Sequence, residues 1–167
     1  MKIVVEPTGF IDFKGLKLRC TLGRGGLSAH KCEGDGATPI GAFKLGRVFY
    51  RPDRCADIPI TGLKIQAMTP NMGWCDDPTH PDYNQLIALP HPARHETLWR
   101  EDHVYDVVVE ILYNTEPIIS GRGSAIFMHV AKPDYTQTEG CIALKYDDLI
   151  YLLRMCNDDD EVVIVDV

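Results

Sequence analysis

Two residues of this chain stand where their types are chemically useful. Cys141 follows Gly140 in Thr138-Glu139-Gly140-Cys141-Ile142, and His129 ends the apolar run Ser124-Ala125-Ile126-Phe127-Met128. A glycine beside the cysteine allows positive φ and lets the backbone turn its N–H groups outward. A histidine within hydrogen-bond reach can take the thiol proton and leave a thiolate nucleophile. The N–H groups of Gly140 and Cys141 could then hold a tetrahedral oxyanion, each donor worth roughly 10²–10³ in rate. The competing reading is a buried, inert cysteine beside a core histidine, and the residues alone leave both open. If Cys141 is activated, a thiol reagent should label it faster than Cys20, Cys32, Cys55, Cys75 and Cys156.

Other segments offer weaker chemistry. Cys75, Asp76, Asp77, His80, His91 and His95 are all acceptable zinc donors. Their spacing matches no closed structural finger, and Pro90 and Pro92 flank His91, against a two-histidine helical face. A polar loop with surface histidines is the simpler reading, so no metal and no cofactor are expected. The glycines of Gly23-Arg24-Gly25-Gly26 and Gly34-Asp35-Gly36 lack the Lys-Ser/Thr end of a phosphate loop and the spacing of a dinucleotide fingerprint. Turn chemistry accounts for them. Asp158-Asp159-Asp160-Glu161 reads as a solvated turn.

The elements that must position these groups are mostly strands. Lys2–Glu6 and Lys17–Leu22 are predicted to pair through the turn Asp12–Gly15, and Ala42–Phe49 and Leu63–Ala67 follow. Val104–Leu112 and Ser124–Val130 read as buried strands, and Glu161–Val165 closes the chain. One helix is predicted over Asp147–Cys156, where Leu149, Leu152, Leu153 and Cys156 fall on one face. The fold class is therefore mainly β: a curved sheet, sandwich or open barrel with one or two short helices. A single domain over residues 1–167 is expected, interrupted by an irregular insertion at about 51–103 that carries most prolines and His80, His91, His95 and His103.

Bulk numbers exclude whole classes. With 167 residues, 45% apolar and 25% charged, the chain has a globular composition. Seventeen basic against twenty-four acidic residues give a net charge of −7, unsuited to a phosphate backbone, so no nucleic-acid partner is expected. No apolar run approaches the roughly 20 residues needed to span a bilayer, so no membrane partner is expected either. Glu6 and Pro7 cut off the run Ile3-Val4-Val5, too short for a secretory core of about 7–15 residues. With six scattered cysteines and no Cys-x-x-Cys pair, a cytoplasmic location is predicted.

His129 with Thr138-x-Gly140-Cys141-Ile142 resembles the His…Ser/Thr-x-Gly-Cys-hydrophobic signature of the L,D-transpeptidase catalytic domain, the YkuD family. About ninety residues upstream, Gly34-Asp35-Gly36-Ala37-Thr38-Pro39-Ile40-Gly41-Ala42-Phe43 is similar to that family's Gly-Asp-Gly-x-Thr-Pro-x-Gly-x-Phe/Tyr segment. The resemblance implies a β-sandwich-like assembly and acyl transfer on peptidoglycan stem peptides. Cys141 would attack the carbonyl at the L-centre of a diaminopimelate residue, expelling terminal D-alanine; His129 would be base and acid, oriented by a backbone carbonyl; and Gly140 would help bind the oxyanion. The partner would be a peptidoglycan-derived tetrapeptide or muropeptide. Arg122 and Ser124 before the His129 strand, Thr138 and Glu139 before the cysteine, and Asp76, Asp77, Tyr83 and Asn84 in the insertion are the candidate substrate contacts. Departures from the pattern are Glu139, where many members carry His or Arg, and Ala143, where many carry Arg or Asn. With the cytoplasmic expectation, they favour an L,D-carboxypeptidase of cell-wall recycling. The alternatives are an L,D-transpeptidase making 3→3 cross-links and an inactive domain that binds wall fragments.

Overall fold

A computed structural model describes all residues, 1–167. Strands β1 (Lys2–Glu6), β2 (Phe10–Phe13) and β3 (Leu16–Thr21) form an antiparallel meander. The expected single hairpin is thus two, because Pro7–Gly9 and Lys14-Gly15 are both turns and leave room for β2. After the two-residue strands β4 (Leu27–Ser28) and β5 (Thr38–Pro39) comes the long β6 (Gly41–Tyr50). The remaining elements are β7 (Ile65–Ala67), β8 (Met72–Cys75), β9 (Leu86–Ala88), β10 (His95–Thr97), β11 (Val107–Ile111), β12 (Phe127–Val130), β13 (Ile142–Leu144), the helix α1 (Tyr146–Leu153) and β14 (Glu161–Ile164).

The main sheet runs β11-β12-β13-β3-β2-β1-β14-β6-β7, and β11 also pairs with β6, so every strand but β7 belongs to a closed ring. Closure depends on β6, whose first residues face β14 while Leu45–Tyr50 face β11. A bulge in β6 lies at this crossing, where Gly46 and Arg47 oppose the single residue Glu110, which is buried and accepts bonds from the Arg47 backbone N–H (2.7 Å) and its guanidinium (2.7 and 3.0 Å). Every ring strand sends alternate side chains inward, among them Ile3, Ile11, Leu18, Val48, Val109, Met128, Ile142 and Val162. Leu149, Leu152 and Leu153 of α1 join this core. The helix ends earlier than its pattern predicts, since Met155 and Cys156 bond to the carbonyls three residues back and tighten the last turn. Asp160 is not part of a solvated turn: it is fully buried, accepts the Asn157 N–H at 2.9 Å and pairs with the Met1 amine.

The outer face of β6, β11 and β12 is also apolar, and the segment expected to be irregular covers it. That segment holds β7 and a small antiparallel sheet in the order β10-β8-β9. Phe49, Val108 and Phe127 meet Met68, Trp74, Leu98, Val104 and Tyr105 in a second buried cluster, which includes Cys141. Short strands of three or four residues, cut by proline and glycine, carry too little alternation to be read in advance.

Candidate active site

β12 and β13 run parallel with Met128 opposite Ile142 and His129 opposite Ala143. Side chains alternate along each strand, so Met128, Val130, Ile142 and Leu144 enter the ring core. Phe127, His129, Cys141 and Ala143 share the other face, under the cap. The pairing register thus puts a cysteine and a histidine separated by eleven intervening residues on the walls of one cleft of about 540 Å³.

The turn holding Cys141 is built by threonines and glycines. Thr138 Oγ1 donates to the Cys141 carbonyl (2.6 Å) and accepts the Gly140 N–H (3.1 Å). Thr38 Oγ1, wholly buried, donates to the Gly140 carbonyl (2.9 Å) and accepts the Gly23 N–H (2.9 Å). The Gly34–Phe43 segment therefore serves as a brace behind the nucleophile. Gly140 has φ +137°, and a Cβ there would lie 2.8 Å from the Ala37 carbonyl oxygen. At Gly23 a Cβ would lie 2.2 Å from the Gly36 oxygen and 2.9 Å from Gly140 Cα. These glycines allow backbone to touch backbone. With the Gly140 N–H committed to Thr138, the Cys141 N–H is the amide left at this turn for an oxyanion, a correction to the two-donor expectation.

His129 is buried, and its Nδ1 lies 3.0 Å from the Val130 carbonyl oxygen. A carbonyl only accepts, so Nδ1 carries the proton and Nε2 keeps its lone pair for a substrate or thiol proton. Burial lowers the His129 pKa to about 4, which keeps the ring neutral. Tyr105 packs edge-on against it with ring centroids 5.2 Å apart, and the Tyr105 hydroxyl donates to Glu96 Oε1 at 2.8 Å. The Cys141 thiol donates to the Ala125 carbonyl (3.2 Å) and accepts the Phe127 N–H (3.4 Å). Burial pushes its pKa up to about 12, helped by the nearby Glu96 carboxyl and opposed by the Phe127 N–H and Lys31. Resting Cys141 and His129 are therefore a neutral thiol and a neutral imidazole. Cys32 is exposed, while Cys141 is buried at the cleft wall, so labelling ranks the two by access as well as by activation.

Asp76, Ser124, Thr138 and Glu139 line the cleft with Cys141 and His129. Glu139 points outward and is bonded through both oxygens to Arg24 (2.9 Å), so it does not disturb the thiol. The structure separates four other candidates from the cleft. Arg122 is exposed beside a different depression with Cys32 and Tyr113, because the Gly121-Arg122-Gly123 turn directs it away. Asp77 caps the turn at Thr79. Tyr83 is buried, donating to Glu33 and accepting the Gly123 N–H (2.9 Å). Buried Asn84 accepts from Trp74 Nε1 and the Ala125 N–H (both 3.0 Å) and donates to the carbonyls of Tyr113 and Asn114. Tyr83 and Asn84 fasten the cap to the segment entering β12.

His80, Asp82 and His91 converge, with His91 Nε2 3.1 Å from Asp82 Oδ2. Both histidine Nδ1 atoms accept backbone N–H groups, from Asp82 (3.1 Å) and Ala93 (3.2 Å). That fixes the proton on Nε2, the tautomer of a hydrogen-bonded loop rather than of a metal ligand whose other nitrogen donates. Lys31, Thr38, Glu96 and Tyr105 are site residues that sequence reasoning missed. Lys31 and Glu96 lie in a loop and a short strand without periodic signal, Tyr105 begins a segment read only as strand, and Thr38 lies in the Gly34–Phe43 motif with no role assigned to it. Glu96 is shifted up to about 7 by burial, against the stabilising Tyr105 bond.

Among curated protein sequences, none matches this chain. In solved structures the likenesses are distant. Pgp2, a helical cell shape determining protein from Campylobacter jejuni, is 15% identical with a TM-score of 0.46, covering 99% of this chain and 47% of that one. An L,D-transpeptidase from Mycobacterium smegmatis is 14% identical with a TM-score of 0.45, covering 98% and 58%. The chain thus spans about half the length of these proteins. The family profile for the YkuD L,D-transpeptidase catalytic domain matches residues 10–164, nearly the whole ring and its cap. With its cysteine and histidine facing one cleft, the chain belongs to the YkuD family of L,D-transpeptidase catalytic domains.

Proposed function

We propose that the protein is a cysteine-dependent L,D-carboxypeptidase that removes the terminal D-amino acid from peptidoglycan-derived tetrapeptides. The observation carrying this reading is the neutral thiol and correctly tautomerised imidazole in one cleft of a YkuD domain. Cys141 would rotate from the Ala125 carbonyl, pass its proton to His129 Nε2, and attack the scissile carbonyl carbon. The Cys141 N–H faces the developing oxyanion. Collapse breaks the C–N bond, His129 returns the proton to the leaving amine, and a thioester remains. Water then attacks with His129 as base, releasing tripeptide carboxylate and the thiol.

Hydrolysis is favoured over cross-linking because an acceptor amine needs its own oriented approach to the thioester. The adjacent depression, lined by Arg47, Trp74, Leu86, Leu112 and Phe127, includes neither Cys141 nor His129. All six cysteines are free, Cys32 exposed among them, which suits a reducing cytoplasm and a soluble, recycled substrate. The test supplies tetrapeptide together with an excess of a second stem peptide or a free D-amino acid, and resolves products by mass. Tripeptide without 3→3 dimer is expected. Dominant dimer or exchanged tetrapeptide would establish the transpeptidase instead, and no turnover would leave a fragment-binding domain.

A further inference from the structure

We propose that Lys31 is the carboxylate-binding residue of the Cys141 cleft, holding the terminal carboxylate of the peptide whose last amide bond is cleaved. The identity of that peptide rests on the carboxypeptidase reading; the anion site itself rests on geometry. The Lys31 side chain is only 3% exposed, yet it lines the same cleft as Cys141 and His129. Two glycines make room for it. A Cβ at Gly123 would lie 2.8 Å from its Cε, and a Cβ at Gly140 would lie 3.4 Å from its Nζ. The ammonium is thereby set beside the turn that carries the nucleophile.

An ammonium has three hydrogens to donate. Inside the protein Lys31 uses one acceptor, Asp35 Oδ1 at 2.7 Å. Asp35 is itself shared, accepting the Cys32 and Ala37 N–H groups at 2.8 Å each. One carboxylate serving three donors balances the lysine charge but takes only one of its N–H bonds, and the other two have no protein acceptor. Unmet donors of a buried charge are costly unless a ligand completes them. The other cations of the cleft differ in exposure: Arg94 and Arg100 each pair with an aspartate, as Lys31 does, but their side chains are 62% and 38% exposed, and Lys132 is exposed too. A buried ammonium with two spare donors matches an acceptor of carboxylate size. Lys31 also favours the Cys141 thiolate, which places its field at the reacting sulfur. It is a cationic substrate contact inside the cleft, where the sequence had suggested Arg122.

The first test compares a tetrapeptide bearing a free C-terminus with the same peptide as its C-terminal amide. Wild type should prefer the free acid. Lys31→Met should lose about 10² more in kcat/KM on the acid than on the amide, because only the acid offers the charged partner, whereas the lost field at Cys141 slows both alike. Equal loss on both peptides would assign Lys31 to the oxyanion or the thiol and overturn the proposal. The second test needs no peptide. Rates of Cys141 alkylation by anionic iodoacetate and neutral iodoacetamide are followed by peptide mapping, and their ratio should fall about ten-fold in Lys31→Met and in Lys31→Gln. An unchanged ratio in a variant that retains its thermal transition would sink the proposal. In the unaltered chain, acetate should slow iodoacetate labelling of Cys141 while chloride at equal ionic strength should not; equal effects would also reject the site. If wild type cleaves neither peptide but the labelling ratios behave as expected, the carboxypeptidase reading fails and the carboxylate site stands.

Discussion

At the level of single residues, the site is held in a neutral, protected state. Cys141→Ala should abolish turnover while leaving the thermal transition within a few degrees, since the thiol is small and bonds only to backbone. Residual activity above a few percent would show that another group is the nucleophile. His129→Ala should cost roughly 10²–10⁴ in kcat. Because burial lowers the His129 pKa from 6.5 to about 4, the imidazole stays a competent base well below neutrality. The acid limb of kcat/KM should therefore fall near pH 4 to 5, and a limb near 6.5 would assign the titration to a different group. The same shift acts on stability. A lowered histidine pKa contributes fully above pH 6.5, and that contribution is lost as the pH falls through about 4. The Cys141 and His129 pair was legible because a glycine-cysteine turn and a histidine ending an apolar strand both break their local pattern. Lys31 and Glu96 break none, so only the folded chain reveals that they border the cleft.

At the level of elements, the cap determines how well the nucleophile is placed. Asn84 satisfies the Trp74 indole and the Ala125 N–H, and the Ala125 carbonyl in turn accepts the Cys141 thiol. Asn84→Ala would strand these partners and two carbonyls in a buried place, at about 2–4 kcal/mol. Both the thermal midpoint and kcat should drop, and a loss of stability without loss of kcat would uncouple the cap from the site. The strands of the ring were readable where an alternating or apolar run extends over five residues or more, as in β1, β6 and β11. The cap strands were not, because Gly73, Pro90 and Pro92 interrupt them and their partners lie within the cap itself. β13 was missed as a strand for a related reason. Its three residues are all buried, and such a run has no polar face to betray its period.

For the molecule as a whole, the clearest electrostatic strain comes from Glu96. Its pKa is raised from 4.5 to about 7, so folding is favoured while it is protonated and disfavoured as pH rises through that value. Glu96→Gln should match wild type below pH 4.5 and exceed it in unfolding free energy above pH 7, by about 3 kcal/mol. Parallel pH-stability curves would refute that reading. Hydrogen exchange gives an independent view: amides of β1 and β14, which join the two ends of the chain in register, should open only with global unfolding. Those of the β10-β8-β9 sheet should exchange sooner. The double pairing of β6 has a further consequence for how copies of this chain meet in crowded solution. A sheet that closes on itself leaves no long row of unsatisfied amides for a neighbour to extend. What remains is the three-residue margin of β7 and the short cap strands, too brief to template a stack. Aggregation should therefore begin only from molecules in which the β6–β11 seam has come apart.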